Sequence, residues 1–139
     1  TVRRELGDRP GIANSLGNLG DVATVQGDCA AARPLYEESL AIFRELGNRP
    51  GIAHSLENFA GLAVVQGQPE RALRLTGAAT ALREAIGTPL SPVDQARLER
   101  RLEPARQALS EEAREAAWEQ GRAMTMEQAV AYALQEIEN

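Results

Sequence analysis

Residues Arg4–Gly27 read RELGDRPGIANSLGNLGDVATVQG, and residues Arg44–Gly67 read RELGNRPGIAHSLENFAGLAVVQG. The second stretch is the first written again 40 residues later. A fixed period of this size marks a stacked repeat protein, in which each unit buries its apolar face against its neighbours. At this offset Leu16, Leu19, Gly20, Ala23 and Gly27 align with Leu56, Phe59, Ala60, Ala63 and Gly67. Beyond them Ala32, Leu35 and Ala41 align with Ala72, Leu75 and Ala81. The spacing Leu16, Leu19, Gly20, Ala23 is the i, i+3, i+4, i+7 stripe of an amphipathic helix. A second stripe, Ala32, Tyr36, Ser39, Phe43 and Leu46, follows the turn at Gly27. Each unit therefore reads as a helix hairpin.

The punctuation agrees. Pro10 and Pro50 suit the first turn of a first helix, where a missing N–H costs little. Gly7, Gly47 and Gly87 close the second helices at one phase. Pro34 and Pro69 are expected within about the first turn of second helices, and Thr1–Leu6 as the tail of a preceding second helix. The opening at Thr1, inside a repeat unit, reads as a piece of a longer protein.

The order Leu16, Leu19–Gly20, Ala23, Gly27, Ala32, Tyr36 resembles a tetratricopeptide repeat, stretched here to a period of 40. Ala23, Ala63 and Thr76 stand where that family's pattern has aromatics. The resemblance covers residues 1–87 and implies an all-α, right-handed superhelical array of two tetratricopeptide-like hairpins. Residues 88–139 form a C-terminal helical cap within the same domain. There the repeat decays: Ala96, Glu99 and Glu103 fall where apolar residues belong. Ser91–Pro92 starts a helix with Leu98, Leu102, Ala105 and Leu109 on its apolar face, and Pro104 is expected to kink or break it near Arg101–Leu102. Ser110 caps the next helix, and Thr125 with Gln128 forms a capping box for the last, whose apolar residues include Met126, Val130 and Ile137.

Two further segments, GAATALREAIGTPLSP (77–92) and WEQGRAMTMEQAVAYAL (118–134), resemble the end of the repeat region in large bacterial ATP-dependent transcriptional regulators. These are signal-transduction ATPases with LuxR-type helix-turn-helix domains, and related fusions carry adenylate-cyclase domains. The resemblance implies a sensor arm, or an ancillary arm of a cyclase, whose nucleotide and DNA sites lie in other domains.

Composition narrows the partners. Hydrophobic residues make up 43 % and charged residues 25 %, which suits a packed helical core. The net charge is -5, and the basic residues other than His54 are all Arg, a bias read as high-GC bacterial. This balance argues against a nucleic-acid or anionic-membrane surface. Cys29 is the single cysteine, so no intramolecular disulfide forms and a cytoplasmic setting is the simplest expectation. No stretch approaches the roughly 20 apolar residues of a bilayer span.

No catalytic constellation is legible, and neither a cofactor nor a metal is expected. His54 lacks further ligands. Glu111, Glu112 and Glu115 read as a helix start, and no Gly-rich phosphate loop exists. Arg97, Arg100, Arg101 and Arg106, interleaved with Glu99 and Glu103, read as a salt-bridged solvated face. Trp118 reads as cap packing or a partner contact. The candidate site is a partner-binding groove formed by Asn14, Asn18 and Asp21 on the first hairpin and His54, Glu57 and Asn58 on the second. A carboxamide there offers both donors and an acceptor to a peptide backbone. The partner is then a protein or peptide. A homodimer is the other expectation, formed through Ile12, Leu16, Leu19 and Val22, which an array leaves partly uncovered at its first hairpin.

Overall fold

A computed structural model describes residues 9–135. Among them lie seven helices and no strand: α1 (Arg9–Val25), α2 (Cys29–Leu46), α3 (Arg49–Val65), α4 (Pro69–Ile86), α5 (Pro92–Gln107), α6 (Glu111–Arg122) and α7 (Met126–Leu134). The first four reproduce the repeat register, since α3 and α4 begin and end 40 residues after α1 and α2. The turns explain the regularity. Gly27, Gly47, Gly67 and Gly87 all have φ between 64° and 78°. A Cβ is strained in that left-handed region, so glycine stops each helix at the same phase. Asp28 and Asn48 restart the chain by accepting from the Ala31 and Gly51 amides at 3.1 and 2.9 Å. Ser91 and Ser110 cap α5 and α6 in the same way, and Thr125 with Gln128 forms the expected box.

Packing within the hairpins is set by small residues opposite aromatics. A Cβ on Gly20 would lie 2.5 Å from the Tyr36 ring, so the ring seats directly on the α1 backbone. In the second hairpin Thr76 replaces the tyrosine and Ala60 replaces the glycine. The departure from the aromatic pattern at Thr76 is thus matched by the larger residue at position 60, one compensated exchange of volume. Tyr36 then stacks against Phe59 of α3, ring centroids 5.8 Å apart, which joins the two hairpins.

Of the C-terminal helices, α5 follows α3 at the repeat interval, whereas α6 and α7 fold back on the array. α6 packs on α4, where Gly77 meets the Trp118 carbonyl and Gly121 the Arg74 carbonyl, leaving no room for a side chain at either position. Segments 77–92 and 118–134 thus meet each other at Gly77. α7 joins the main core through Ala129, Val130 and Ala133. Its last carbonyls are bound by Arg71 of α4, to Tyr132 and Ala133 at 2.9 Å, and by Arg33 of α2, to Leu134 at 3.0 Å. Cationic side chains at a helix C-terminus also oppose its dipole. α5 lies along α3 and α4 with Leu98, Leu102 and Ala105 in a separate small cluster with Ala63 and Ala72.

Several expectations are corrected. α5 continues through Pro104 to Gln107 without a break, the helix absorbing the one amide hydrogen bond that the proline cannot donate. Pro34 sits in the second turn of α2 rather than the first. The arginines of α5 do not pair with Glu99 and Glu103, which hydrogen-bond Gln95 and Gln107. Instead Arg97 faces Asp94 at 3.9 Å and Arg101 reaches Asp21 of α1 at 4.0 Å. Ile12 is only 8 % exposed and belongs to the core, whereas Leu19 and Val22 are more than half exposed. Thr1–Leu6, Gly7 and Ile137 lie outside the described residues. No helix among those described is long and apolar enough to cross a membrane.

Candidate functional site

α3 has two working faces. At 100° per residue, Ile52, Leu56 and Phe59 project toward the core, and His54, Glu57, Asn58 and Gly61 project the opposite way. That second face meets α5, and between them lies a cleft of about 270 Å³. Asp21 of α1, His54, Glu57 and Asn58 of α3, and Arg83 of α4 form one side. Asp94, Arg97, Leu98 and Arg101 of α5 form the other. Four of the six groove candidates, Asp21, His54, Glu57 and Asn58, are therefore brought together. Asn14 and Asn18 are exposed on α1 and do not line the cleft.

Each wall residue has a distinct state. Glu57 is buried, and Arg83 grips it with Nε donating to Oε2 at 2.6 Å and Nη2 to Oε1 at 2.9 Å. Burial pushes the Glu57 carboxyl up, but His54 and Arg83 outweigh it and hold the group below the ordinary carboxylate range. His54 Nδ1 stands 3.8 Å from Oε1, too far for a hydrogen bond, so Arg83 is the partner that fixes the carboxylate. Arg83 also donates to the Thr88 carbonyl at 3.1 Å and so ties down the loop entering α5. Asp21 accepts from the Tyr36 hydroxyl at 2.6 Å. Burial and this carboxylate push the Tyr36 hydroxyl up, so it stays a donor. Asn58 is 2 % exposed, yet its carboxamide makes no hydrogen bond among the described residues. Its polar atoms are not sealed from solvent, so the amide is free to bond an incoming group.

Sequence reasoning missed the α5 side of the cleft. The missing signal was one more step of the period: His54, Glu57, Asn58 and Gly61 plus 40 give Asp94, Arg97, Leu98 and Arg101. The core positions of the third unit had decayed and its groove positions carry different residues, which together hid the register there. Because the buried residues of α5 are Leu98, Leu102 and Ala105, that helix is rolled about its axis and turns its apolar side toward α3.

The arrangement offers binding groups of both signs, a buried amide and a half-exposed imidazole. Among the described residues no group of three or more His, Cys, Asp or Glu side chains is placed to hold a metal ion. Comparison with curated proteins and with solved structures gave no match. The family model for the tetratricopeptide repeat matches twice, at residues 2–45 and 11–85, together more than half of the chain. With its paired helices in a 40-residue register, this chain belongs to the tetratricopeptide repeat family.

Proposed function

We propose that this chain is a non-catalytic scaffold that recognises a protein or peptide segment in the cleft between α1, α3 and α5. Tetratricopeptide repeats generally mediate protein–protein interaction. The observation that carries the placement is Asn58: a carboxamide with no hydrogen-bond partner among the described residues, lining a cleft whose walls are mostly polar or charged. A peptide group supplies the donor and the acceptor it lacks. The wider role we assign is the sensor or interaction arm of a cytoplasmic bacterial transcriptional regulator. Support for it is the resemblance of segments 77–92 and 118–134 to such regulators, and the packing of those segments against each other at Gly77.

A peptide array probed with the labelled chain tests the reading. His54→Trp, at a half-exposed position on the rim, fills the cleft without entering the core. Bound peptides should be lost from this variant while its helicity is retained. Equal binding by the variant would remove the cleft from the function. A second reading, self-association, is favoured by the exposed Leu19, Val22 and Val25 on α1. A concentration series by sedimentation, repeated with Leu19→Glu, decides it.

A further inference from the structure

The space above Gly61 is shaped for a guanidinium. A Cβ at Gly61 would run into Arg101 Nη2, Cζ and Nε, so the absence of a side chain on α3 is what admits that group. In the repeat register residues 21, 61 and 101 are equivalent positions on three successive first helices. They read Asp21, Gly61 and Arg101: an acid, a gap, and the cation that lies across the gap toward the acid. The acid is preset, because Tyr36, itself buried, holds Asp21 by a 2.6 Å hydrogen bond.

Yet Arg101 fits this place poorly. Its Nη2 stops 4.0 Å from Asp21 Oδ1, beyond hydrogen-bond range. Among the described residues the guanidinium makes no hydrogen bond, although it carries five donors in a planar fork suited to a carboxylate. The neighbouring Asn58 amide is also unpartnered. α5, which carries Arg101, is attached by three buried apolar residues in a cluster separate from the main core. The wall that carries Arg101 is thus held apart from the main core.

We propose that the cleft is built to hold an arginine side chain of a partner segment, and that Arg101 of α5 fills this place in cis until the partner's arginine displaces it. This rests on the reading of the cleft as a recognition site. An incoming arginine, free of the α5 backbone, closes the distance to Asp21 and reaches the Asn58 carbonyl. The net charge of -5 draws a basic segment toward the chain at long range. A tethered Arg101 competes at the effective concentration set by its attachment, so the affinity for a free arginine is masked in the wild type.

The test is a titration of the isotope-labelled chain with acetyl-Gly-Arg-Gly-amide, followed by NMR at the Gly61 amide. Arg101→Gln should saturate at roughly tenfold lower peptide concentration than the wild type, since the cis competitor is gone. Asp21→Asn added to that variant should abolish the gain. The peptide with Glu in place of Arg should leave Gly61 unmoved. Arg101→Met, which keeps the apolar stem, carries the same expectation if Arg101→Gln loses helix. No gain in either variant, a gain that survives Asp21→Asn, or equal binding of the Glu peptide overturns the proposal. A library peptide that is blocked by His54→Trp but indifferent to Arg101→Gln keeps the recognition reading and removes the arginine site.

Discussion

The first and second hairpins carry one 40-residue pattern, yet α1 buries six of its seventeen residues and α3 buries twelve. The difference lies in their neighbours, not in their own residues. Leu19 and Phe59 are equivalent positions, 56 % and 2 % exposed. Phe59 meets Tyr36 of the preceding second helix and lies beneath the Arg33 guanidinium at 5.9 Å from its centroid. Among the described residues Leu19 has no preceding helix to meet. α3 is further covered on one face by α5 and on the other by α7. In a repeat array, then, the same residue is core or surface according to where its unit stands in the stack, and burial cannot be copied along the period.

The largest effect that this comparison predicts is a contrast between equivalent truncations. Phe59→Ala should cost about 3–5 kcal/mol, because it empties a site enclosed by two helices. Leu19→Ala should stay within about 0.5 kcal/mol, as surface substitutions do. Urea unfolding of the two variants checks it. Similar losses from both would mean that α1 is covered in solution, as self-association would bring about.

This contrast also marks what was legible beforehand. The period, the hairpins, the αL glycines and the serine and threonine caps depend on local residues and their spacing, so one sequence was enough to place them. Burial at positions 12, 19 and 58 depends on which helix lies opposite, and no local pattern states that. The cleft was half legible for the same reason. His54, Glu57 and Asn58 stood out because the copies could be compared there. Arg101 did not, because the core positions around it no longer matched, and its partner Asp21 lies two hairpins away.

A smaller effect should appear where the hairpins exchanged volume. Gly20→Ala forces a Cβ against the Tyr36 ring, and overpacking of this kind costs about 1–3 kcal/mol. The second hairpin shows the compensated pair, Ala60 with Thr76. Gly20→Ala should therefore be less damaging in a Tyr36→Thr background than in the wild type, although Tyr36→Thr is itself destabilising through the lost contact with Phe59. A double-mutant cycle measures the coupling. Additive losses would show that the glycine serves the backbone and not the ring.

The smallest effect is electrostatic and appears only in acid. Glu57 and Arg83 stand where the first hairpin has Gly17 and Phe43, so only the second hairpin holds an ion pair at this site. Burial works against the Glu57 charge, but His54 and Arg83 prevail and depress its folded-state pKa. A depressed carboxyl binds its proton more readily in the unfolded chain. Its contribution to stability is therefore fully present above the unfolded value, about 4.3 for a glutamate, and is lost as pH falls through the folded value. Thermal unfolding of the wild type and of Glu57→Gln should thus differ most near neutral pH and converge in acid. A gap that instead opened in acid would mean that the Glu57 proton is held more tightly in the folded chain, and that Arg83 does not stabilise its charge.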